Sequence, residues 1–237
     1  MQPINPNNAL KNGHVFAVGM SGSGKTSAAK KLFIKPADQV AIFDPVGDYE
    51  GKLAGRIVRR YKTIKEFATA LIAGRKTEQG FKVSFQPDFE TTPADFDKFC
   101  QIVWAVGNGK HKKPLKVICE EVAEHSLSAG KAVGYHGKIL RLGRKFNIHT
   151  INLFQRGQEV SKTIIDNCQR ACVMMQKTNA SAVYLERMTG IPAGEIDKLI
   201  ELDYLLQDGK QYKKGKIQWN NVTQVKSKRN PPKKVLG

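Results

Sequence analysis

The 237-residue chain is predicted to adopt an α/β fold in which a mostly parallel sheet carries helices on both faces. Short apolar segments of strand character alternate along the chain with segments of helical periodicity, which is typical of parallel sheets whose crossovers are helices. A glycine-rich turn also separates the first of these strands from the first helix. The length and a hydrophobic fraction of 41% suffice for one domain with a sizeable core.

The N-terminal half is predicted to contain an arm followed by alternating strands and helices. Residues 1–12 are polar and rich in Pro and Asn, which favours an arm leading into the first strand. Ile64, Phe67 and Leu71 recur at helical spacing, and Thr92-x-x-Asp95 is a helix-capping pattern. Strands are expected at 14–18, 39–44, 57–58 and 81–85, and helices from the turn to about residue 33 and over 63–73 and 92–106.

The C-terminal half continues the alternation and completes a globular domain over residues 13–225. Strands are expected at 115–119, 149–154 and 171–175, helices over 160–168, 179–188 and 192–201, and a hairpin across 207–210. A helical stretch is expected after the strand at 115–119 and up to about residue 145, with interruptions near 128–130 and at Gly134. The tail at 226–237 has the composition of a disordered basic extension.

The charge balance indicates a polyanionic partner. The chain has 39 Lys and Arg against 21 Asp and Glu, a net charge of +18, and nucleic acid is the first candidate for such an excess. The alternative is a basic surface that serves only solvation. No apolar stretch approaches the roughly 18 residues that span a bilayer, and the N-terminus lacks the pattern of a signal peptide. We therefore expect a cytoplasmic protein without a membrane-spanning segment.

The most informative segment is a phosphate-binding loop, because residues 19–26 spell G-x-x-x-x-G-K-T between a strand and a helix. Its glycines allow successive amide groups to point at phosphate oxygens, and the helix that follows adds its positive dipole end. Lys25 is expected to reach the β- and γ-phosphates, and the Thr26 hydroxyl to bind Mg²⁺. The residues assigned to ATP binding are Gly19, Met20, Ser21, Gly22, Ser23, Gly24, Lys25 and Thr26.

Two later strands end in residues suited to ATP hydrolysis. Glu120 and Glu121 follow the apolar strand at 115–119. An acid at a strand end beside the loop can hold Mg²⁺, and a second acid can polarise the attacking water. We assign Glu120 to the metal and Glu121 to the water; the alternative is two surface glutamates that begin a helix. Gln155 closes the next strand, and its amide can donate to a γ-phosphate and accept from water.

Arg141 and Arg144 lie on the helical stretch before the strand that ends at Gln155. Either arginine could project across a subunit boundary towards the γ-phosphate bound by a neighbouring subunit. The alternative for each is a solvated or phosphate-contacting surface residue. We therefore treat both as candidates for a catalytic arginine acting in trans.

Together these motifs resemble those of the HerA/FtsK family of P-loop ATPases, which move DNA. The resemblance covers residues 13 to about 210. The turn Phe43-Asp-Pro-Val-Gly-Asp-Tyr49 is similar to the family's Asp-Pro-x-Gly-Glu-Tyr turn, and Glu120-Glu121 stands where the family commonly has Asp-Glu. The segment from Gly143 to Asn147, with Gln155 and Arg156, is similar to its Gly-Arg-Lys-x-Gly and Ser-Gln-Arg segments, with Asn147 in place of the glycine. The resemblance implies a P-loop NTPase fold of the ASCE/RecA-like type.

Within that family, a chain that covers little more than the motor core resembles the genome-packaging ATPases of tectivirus-like icosahedral viruses with an internal membrane. This implies an enzyme that uses ATP and Mg²⁺ to drive double-stranded viral DNA into a preformed capsid. It also implies a homo-oligomeric ring, expected to be a hexamer, in the host cytoplasm or associated with the virion, with capsid vertex or portal proteins as partners. The alternatives are a plasmid or conjugative DNA pump, a non-hydrolysing nucleotide-binding assembly protein, and a DNA-binding module, which would leave the phosphate loop unexplained.

Overall fold

The structure, a computed structural model, describes residues 2–125 and 130–218. The strands are β1 (Val15–Val18), β2 (Gln39–Phe43), β3 (Lys52–Leu53), β4 (Arg56–Ile57), β5 (Arg59–Tyr61), β6 (Phe81–Phe85), β7 (Leu115–Cys119), β8 (Ile148–Phe154), β9 (Arg170–Met174), β10 (Asp203–Asp208) and β11 (Gln211–Lys216). The α-helices are α1 (Lys25–Ala28), α2 (Ile64–Arg75), α3 (Pro93–Ala105), α4 (Gly134–Leu142), α5 (Lys162–Asn167), α6 (Asn179–Thr189) and α7 (Ala193–Asp197).

Nine of the described strands form one sheet, in the order β11-β10-β9-β1-β8-β7-β2-β6-β5. All neighbouring pairs from β9 to β5 are parallel, whereas β10 and β11 form an antiparallel hairpin at one side. The predicted α/β class with a mostly parallel sheet is therefore confirmed. Because β8 lies between β1 and β7 and all three are parallel, their carboxyl ends lie next to one another. The boundary of the sheet formed by the carboxyl ends of the parallel strands is called the carboxyl edge, and the boundary formed by their amino ends is called the amino edge. Neither term refers to the outer strands β5 and β11.

The two faces of the sheet are covered unequally. Helices α2 to α7 contribute to the hydrophobic core on one face, which includes Phe67, Phe99 and Ile139. The core on the other face is built on α1 and the π-helical turn Ala29–Phe33 that continues it, together with loop residues such as Tyr49 and Val58. Helices thus lie on both faces, as predicted, but most of the helical mass is on one of them.

Local differences from the predicted elements occur where the backbone turns. The helical stretch expected directly after the acids is wrong over 121–125, which form turns, because Glu121 has a left-handed φ of 46° and ends the regular backbone. The strand expected at 57–58 is β4 in a small hairpin with β3, and β5 was not predicted. The helix expected over 192–201 is the shorter α7. The basic tail predicted at 226–237 lies outside the described residues.

The N-terminal arm packs along the amino edge. The amide of Ile4 donates to Gly107 O at 3.0 Å, and the amide of Asn7 donates to Lys145 O at 2.8 Å. A separate feature of the amino edge is the turn before β8. Asn147 in this turn has a φ of 58°, and its side chain donates to His111 O at 2.8 Å. Asparagine tolerates this left-handed conformation, which explains how it replaces a glycine there. Among the described residues, no helix is long and apolar enough to cross a membrane.

Candidate active site

The loop between β1 and α1 has the shape of a phosphate cradle. Gly22 and Gly24 have φ values of 78° and 99°, which only glycine adopts without strain. A Cβ on Gly19 would lie 2.5 Å from Ser23 Oγ, so the loop closes tightly on itself. The amide of Met20 donates to Met175 O at 2.9 Å, which attaches the loop to the end of β9. The amide of Ser23 donates to Met20 O at 3.1 Å, which closes the loop internally.

Several amide groups of this loop are available to a ligand. Within residues 2–125 and 130–218, the amides of Ser21, Gly22 and Gly24 have no hydrogen-bond acceptor. Ser21 and Gly22 are exposed, and the first amides of α1 lack intrahelical acceptors as in any helix. An anion with several oxygens would satisfy these donors, so the loop fits the phosphates of a nucleotide.

Lys25 lies at the centre of the carboxyl edge. Its side chain is 8% exposed, and Nζ donates to Met20 O at 3.2 Å. Burial lowers the pKa of Lys25, while the nearby carboxylates of Glu121, Glu120 and Asp48 raise it. Among the described residues the ammonium thus donates to one backbone oxygen and faces a group of acids, and a phosphate would add a strong acceptor.

The acids of this edge are arranged through the turn after β2. Asp44 is fully buried and accepts the amides of Asp48 at 2.8 Å and Tyr49 at 3.1 Å. Burial raises the pKa of Asp44, and these backbone hydrogen bonds lower it. The Tyr49 hydroxyl donates to Glu120 Oε1 at 2.6 Å. Glu120 is 2% exposed, and burial raises its pKa to about 7. The turn after β2 therefore orients the first predicted acid.

Asp48 is a candidate site residue that the sequence assignment missed. The Thr26 hydroxyl donates to Asp48 Oδ2 at 3.3 Å, so the predicted Mg²⁺ ligand Thr26 has Asp48 as its acidic neighbour, whereas Glu120 is bonded to Tyr49. Its signal in the sequence is the Asp-Pro-Val-Gly-Asp-Tyr turn, in which Asp48 is the second acid. Thr26, Asp48 and Glu120 offer hard oxygen donors, which suit Mg²⁺ once phosphate oxygens complete its coordination.

Glu121 and Gln155 are brought to the same edge by the strand order. The amide of Val122 donates to Leu153 O at 3.1 Å, which fixes the turn containing Glu121 beside β8. On the other side of β8 lies β1, in which Val18 is opposite Phe154, and the amide of Gly19 donates to Phe154 O at 3.4 Å. Gln155 therefore stands between the phosphate loop and the acid pair. No group of three or more His, Cys, Asp or Glu side chains in the described part of the chain forms a metal site by itself.

The two candidate arginines are not brought to this site within one chain. Arg144 Nη1 donates to Leu10 O at 3.0 Å and to Asn8 O at 3.3 Å, both in the arm at the amino edge. Arg141 is exposed on α4, and its Nη1 donates to Ala132 O at 3.0 Å. Both guanidinium groups therefore have backbone partners inside the chain, and a role in trans stays a prediction for both residues.

The sheet and the loop define a P-loop NTPase fold, and solved structures with the same fold include a viral genome-packaging NTPase and a plasmid coupling protein. The genome-packaging NTPase B204 from Sulfolobus turreted icosahedral virus 2, in complex with ATP-gammaS, has a TM-score of 0.67 and 16% sequence identity, covering 87% of this chain and 98% of that one. The plasmid coupling protein TrwB, in complex with a non-hydrolysable GTP analogue, has a TM-score of 0.60 and 11% identity, covering 86% of this chain and 85% of that one.

A sequence relative comes from a bacterial virus. Protein P9 of Pseudoalteromonas phage PM2 is 27% identical over 212 residues, which are 84% of this chain and 88% of that protein. No protein-family model matches the chain. The predicted resemblance is confirmed at the level of the fold, which the chain shares with a viral genome-packaging NTPase and a plasmid coupling protein, and the chain is similar in sequence to a phage protein.

Proposed function

We propose that the chain is an ATP-hydrolysing translocase that drives double-stranded viral DNA into a preformed capsid. The observation that carries this proposal is the meeting of the phosphate loop, Lys25, the acid pair and Gln155 at one edge of the sheet. A protein that used nucleotide only as a structural ligand would need the loop but not a water-polarising acid or an amide beside it. The likeness to viral proteins, including one described as a DNA-packaging ATPase, supports the viral role.

Each residue has a defined task in this proposal. The loop amides and Lys25 bind the phosphates, and Thr26, with Glu120 or Asp48, holds Mg²⁺, which would neutralise charge on the phosphate oxygens. Glu121 accepts a proton from the attacking water, because a carboxylate is a base whereas an amide is not. Gln155 lies beside Gly19 and can contact both water and a γ-phosphate. The chemistry is therefore the hydrolysis of ATP to ADP and phosphate.

The proposed partner is duplex DNA gripped by several subunits of a ring. Arg59 and Arg60 lie on β5, at one side of the sheet, whereas the lysines of β11 lie on the strand at the other side. One subunit thus presents basic residues in separate places, which suits a polyanion that contacts several subunits in turn. Such contacts are with phosphates, so binding should be insensitive to sequence and should weaken with salt.

The arginines enter the proposal only through a neighbouring subunit. In mixed oligomers, an Arg141→Ala or Arg144→Ala chain combined with a Lys25→Ala chain should regain part of the hydrolysis, because some interfaces contain both intact groups. Arg144 is the more demanding test, because its contacts with Asn8 and Leu10 would have to be released or supplemented. Absence of rescue in confirmed mixed oligomers would remove the arginines from the site.

The experiment that tests the proposal is ATP turnover measured with and without duplex DNA, followed by displacement of a third strand from that duplex. Turnover that rises with DNA and displaces the strand supports a translocase. Binding of ATP without turnover would indicate the non-hydrolysing assembly protein. The likeness to TrwB keeps a plasmid or conjugative pump as the second candidate. A plasmid pump should translocate DNA at the same rate with and without empty viral capsids. A packaging motor should be stimulated by empty capsids of the virus that it serves.

A further inference from the structure

We propose that His125 is a positioning residue for hydrolysis, which holds the peptide of Glu121 and thereby aims its carboxylate at the attacking water. The inference rests on the proposed function of Glu121. His125 lies four residues further along, in the turn that follows the acid pair, and it is 5% exposed. It contacts neither the phosphate loop nor Lys25 through any hydrogen bond in the described part of the chain.

Both ring nitrogens of His125 have partners that define its tautomer. Nδ1 lies 3.0 Å from Glu121 O, and a carbonyl oxygen only accepts, so Nδ1 carries the proton and donates. Nε2 lies 2.7 Å from Thr91 Oγ1, and in the neutral ring it accepts from that hydroxyl. Thr91 directly precedes the capping residue of α3. The imidazole thus connects the start of α3 with the carbonyl of the catalytic candidate.

The ring is held in place by aromatic packing as well. Its centroid is 4.9 Å from that of Phe43, at an interplanar angle of 82°, and 5.9 Å from that of Phe96. Phe43 is the last residue of β2, and Phe96 is on α3. Because the imidazole has little freedom to rotate, its Nδ1–H points at Glu121 O without a further loss of conformational entropy.

Glu121 needs such support because its backbone is strained. A φ of 46° is rare for a residue with a side chain and costs on the order of 1–3 kcal/mol. The flanking amides are held by β2 and β8, since Glu120 N donates to Phe43 O at 3.3 Å and Val122 N to Leu153 O at 3.1 Å. The Glu121 carbonyl accepts from the amide of Glu124 at 3.1 Å and from His125 Nδ1 at 3.0 Å, so His125 supplies the side-chain donor of the pair. Without the imidazole the carbonyl keeps only the Glu124 amide among these two donors, so the strained peptide is held less firmly and the carboxylate of Glu121 can shift.

The first test is His125→Phe, which keeps an aromatic ring against Phe43 and Phe96 but removes both hydrogen bonds. We expect kcat for ATP to fall about ten- to hundredfold, the effect of a small displacement of a catalytic group, with KM unchanged. The matched control is His111→Phe. His111 also has both ring nitrogens bonded, to Lys113 O and Thr77 O, but lies at the amino edge, so it should change only thermal stability.

A second pair of variants separates positioning from packing. Asn and Gln both remove the ring, but the Asn amide occupies the place of Nδ1 and the Gln amide that of Nε2. His125→Asn should therefore retain more kcat than His125→Gln, even if both unfold at a lower temperature. A wild-type kcat in His125→Phe, or a Gln variant equal to or better than the Asn variant, would overturn the inference.

Hydrogen exchange makes the result independent of the proposed function. Amide exchange over residues 120–124 should rise in His125→Phe and stay nearer to wild type in His125→Asn, whether or not the chain hydrolyses ATP. If wild type lacks turnover, the proposed function fails while this measurement still decides the positioning. If wild type is active, Glu121→Gln is impaired and both exchange and kcat of His125→Phe are unchanged, only the positioning role fails.

Discussion

Lys25 and Lys82 are both buried lysines, but they lie at opposite edges of the sheet and have different partners. Lys25, at the carboxyl edge, has one carbonyl partner at 3.2 Å and faces carboxylates. Lys82, on β6 at the amino edge, is 1% exposed and donates to Asp38 O at 2.6 Å and Lys35 O at 3.0 Å. The first ammonium is available to a ligand, whereas the second is already used by the backbone.

The surroundings of Lys82 show that part of the net charge of +18 is structural. The segment between the π-helical turn and β2 carries backbone carbonyls at Phe33, Pro36 and Ala37 that no helical amide satisfies. These carbonyls accept from Lys116, Arg56 and Lys113 at distances of 2.5, 2.8 and 3.0 Å. Cations at the carboxyl end of a helix also complement its dipole. The excess of basic residues is therefore a weaker measure of DNA contact than the composition alone suggests.

The largest effect is expected from Lys25→Ala. ATP turnover should fall by about 10³-fold or more, because the charge that stabilises the transferred phosphoryl group is lost. The free energy of unfolding should change by less than about 1 kcal/mol, since the cost of burying the ammonium offsets its attraction to the nearby carboxylates. Turnover assays and urea titrations measure both quantities. Wild-type turnover in this variant would contradict the phosphate-loop assignment and the contrast between the two lysines.

Glu121→Gln should give the next largest effect. We expect hydrolysis to fall about 10²- to 10⁴-fold while ATP binding in the presence of Mg²⁺ is retained, because the amide cannot accept the proton of water. Equilibrium binding of a fluorescent ATP analogue and single-turnover hydrolysis separate the two steps. A variant that hydrolyses ATP at the wild-type rate would place the general base elsewhere at the carboxyl edge.

Lys82→Met should reverse the pattern seen for Lys25. The methionine keeps most of the apolar stem but leaves two buried carbonyls without their donor, so the unfolding free energy should fall by about 2–3 kcal/mol. The kcat for ATP should stay at the wild-type value, because Lys82 lies at the edge away from the site. Lys210→Met, at an exposed lysine, is the control for loss of charge alone. If Lys82→Met loses turnover but not stability, the conclusion that Lys82 has a structural role and Lys25 a catalytic one is wrong.

The last prediction concerns pH and the buried histidines at the start of β1 and β8, and its effect is small at neutral pH. Burial lowers the pKa of His14 from 6.5 to about 3, and that of His149 to about 4. At these two positions the unfolded chain therefore binds more protons than the folded chain below pH 6.5. The stabilisation is complete above pH 6.5 and declines as the pH falls towards 4, by about 1.4 kcal/mol per pH unit for each histidine.

The measurement is the unfolding free energy by urea titration at several pH values between 4 and 7. His14→Asn keeps an acceptor for the Thr150 amide, which now donates to His14 Nδ1 at 2.9 Å, and removes the titrating ring. The unfolding free energy of this variant should depend less steeply on pH, because unfolding should take up about one proton fewer than in the wild type. An unchanged slope would show that His14 does not contribute to the acid lability of the amino edge.

Features that depend on residues close together along the chain could be predicted from the amino-acid sequence. The phosphate loop follows from the conformational freedom of Gly22 and Gly24, and most strands and long helices were predicted within a few residues. The capping pattern at Thr92 is a genuine capping box with Asp95. These features are local, because the backbone angles and the hydrogen bonds involved span only a few positions along the chain.

Which of these local features share a site depends on the strand order and on the packing of the folded chain. The insertion of β8 between β1 and β7 places Gln155 beside the loop, and the turn after β2 brings Asp48 to Thr26. The strain at Glu121 and its contact with His125 were likewise not predictable from spacing. Parallel strands pair across long intervals of sequence, and burial depends on what packs above each strand. A local pattern therefore cannot state whether a lysine such as Lys82 will meet a phosphate or a backbone carbonyl.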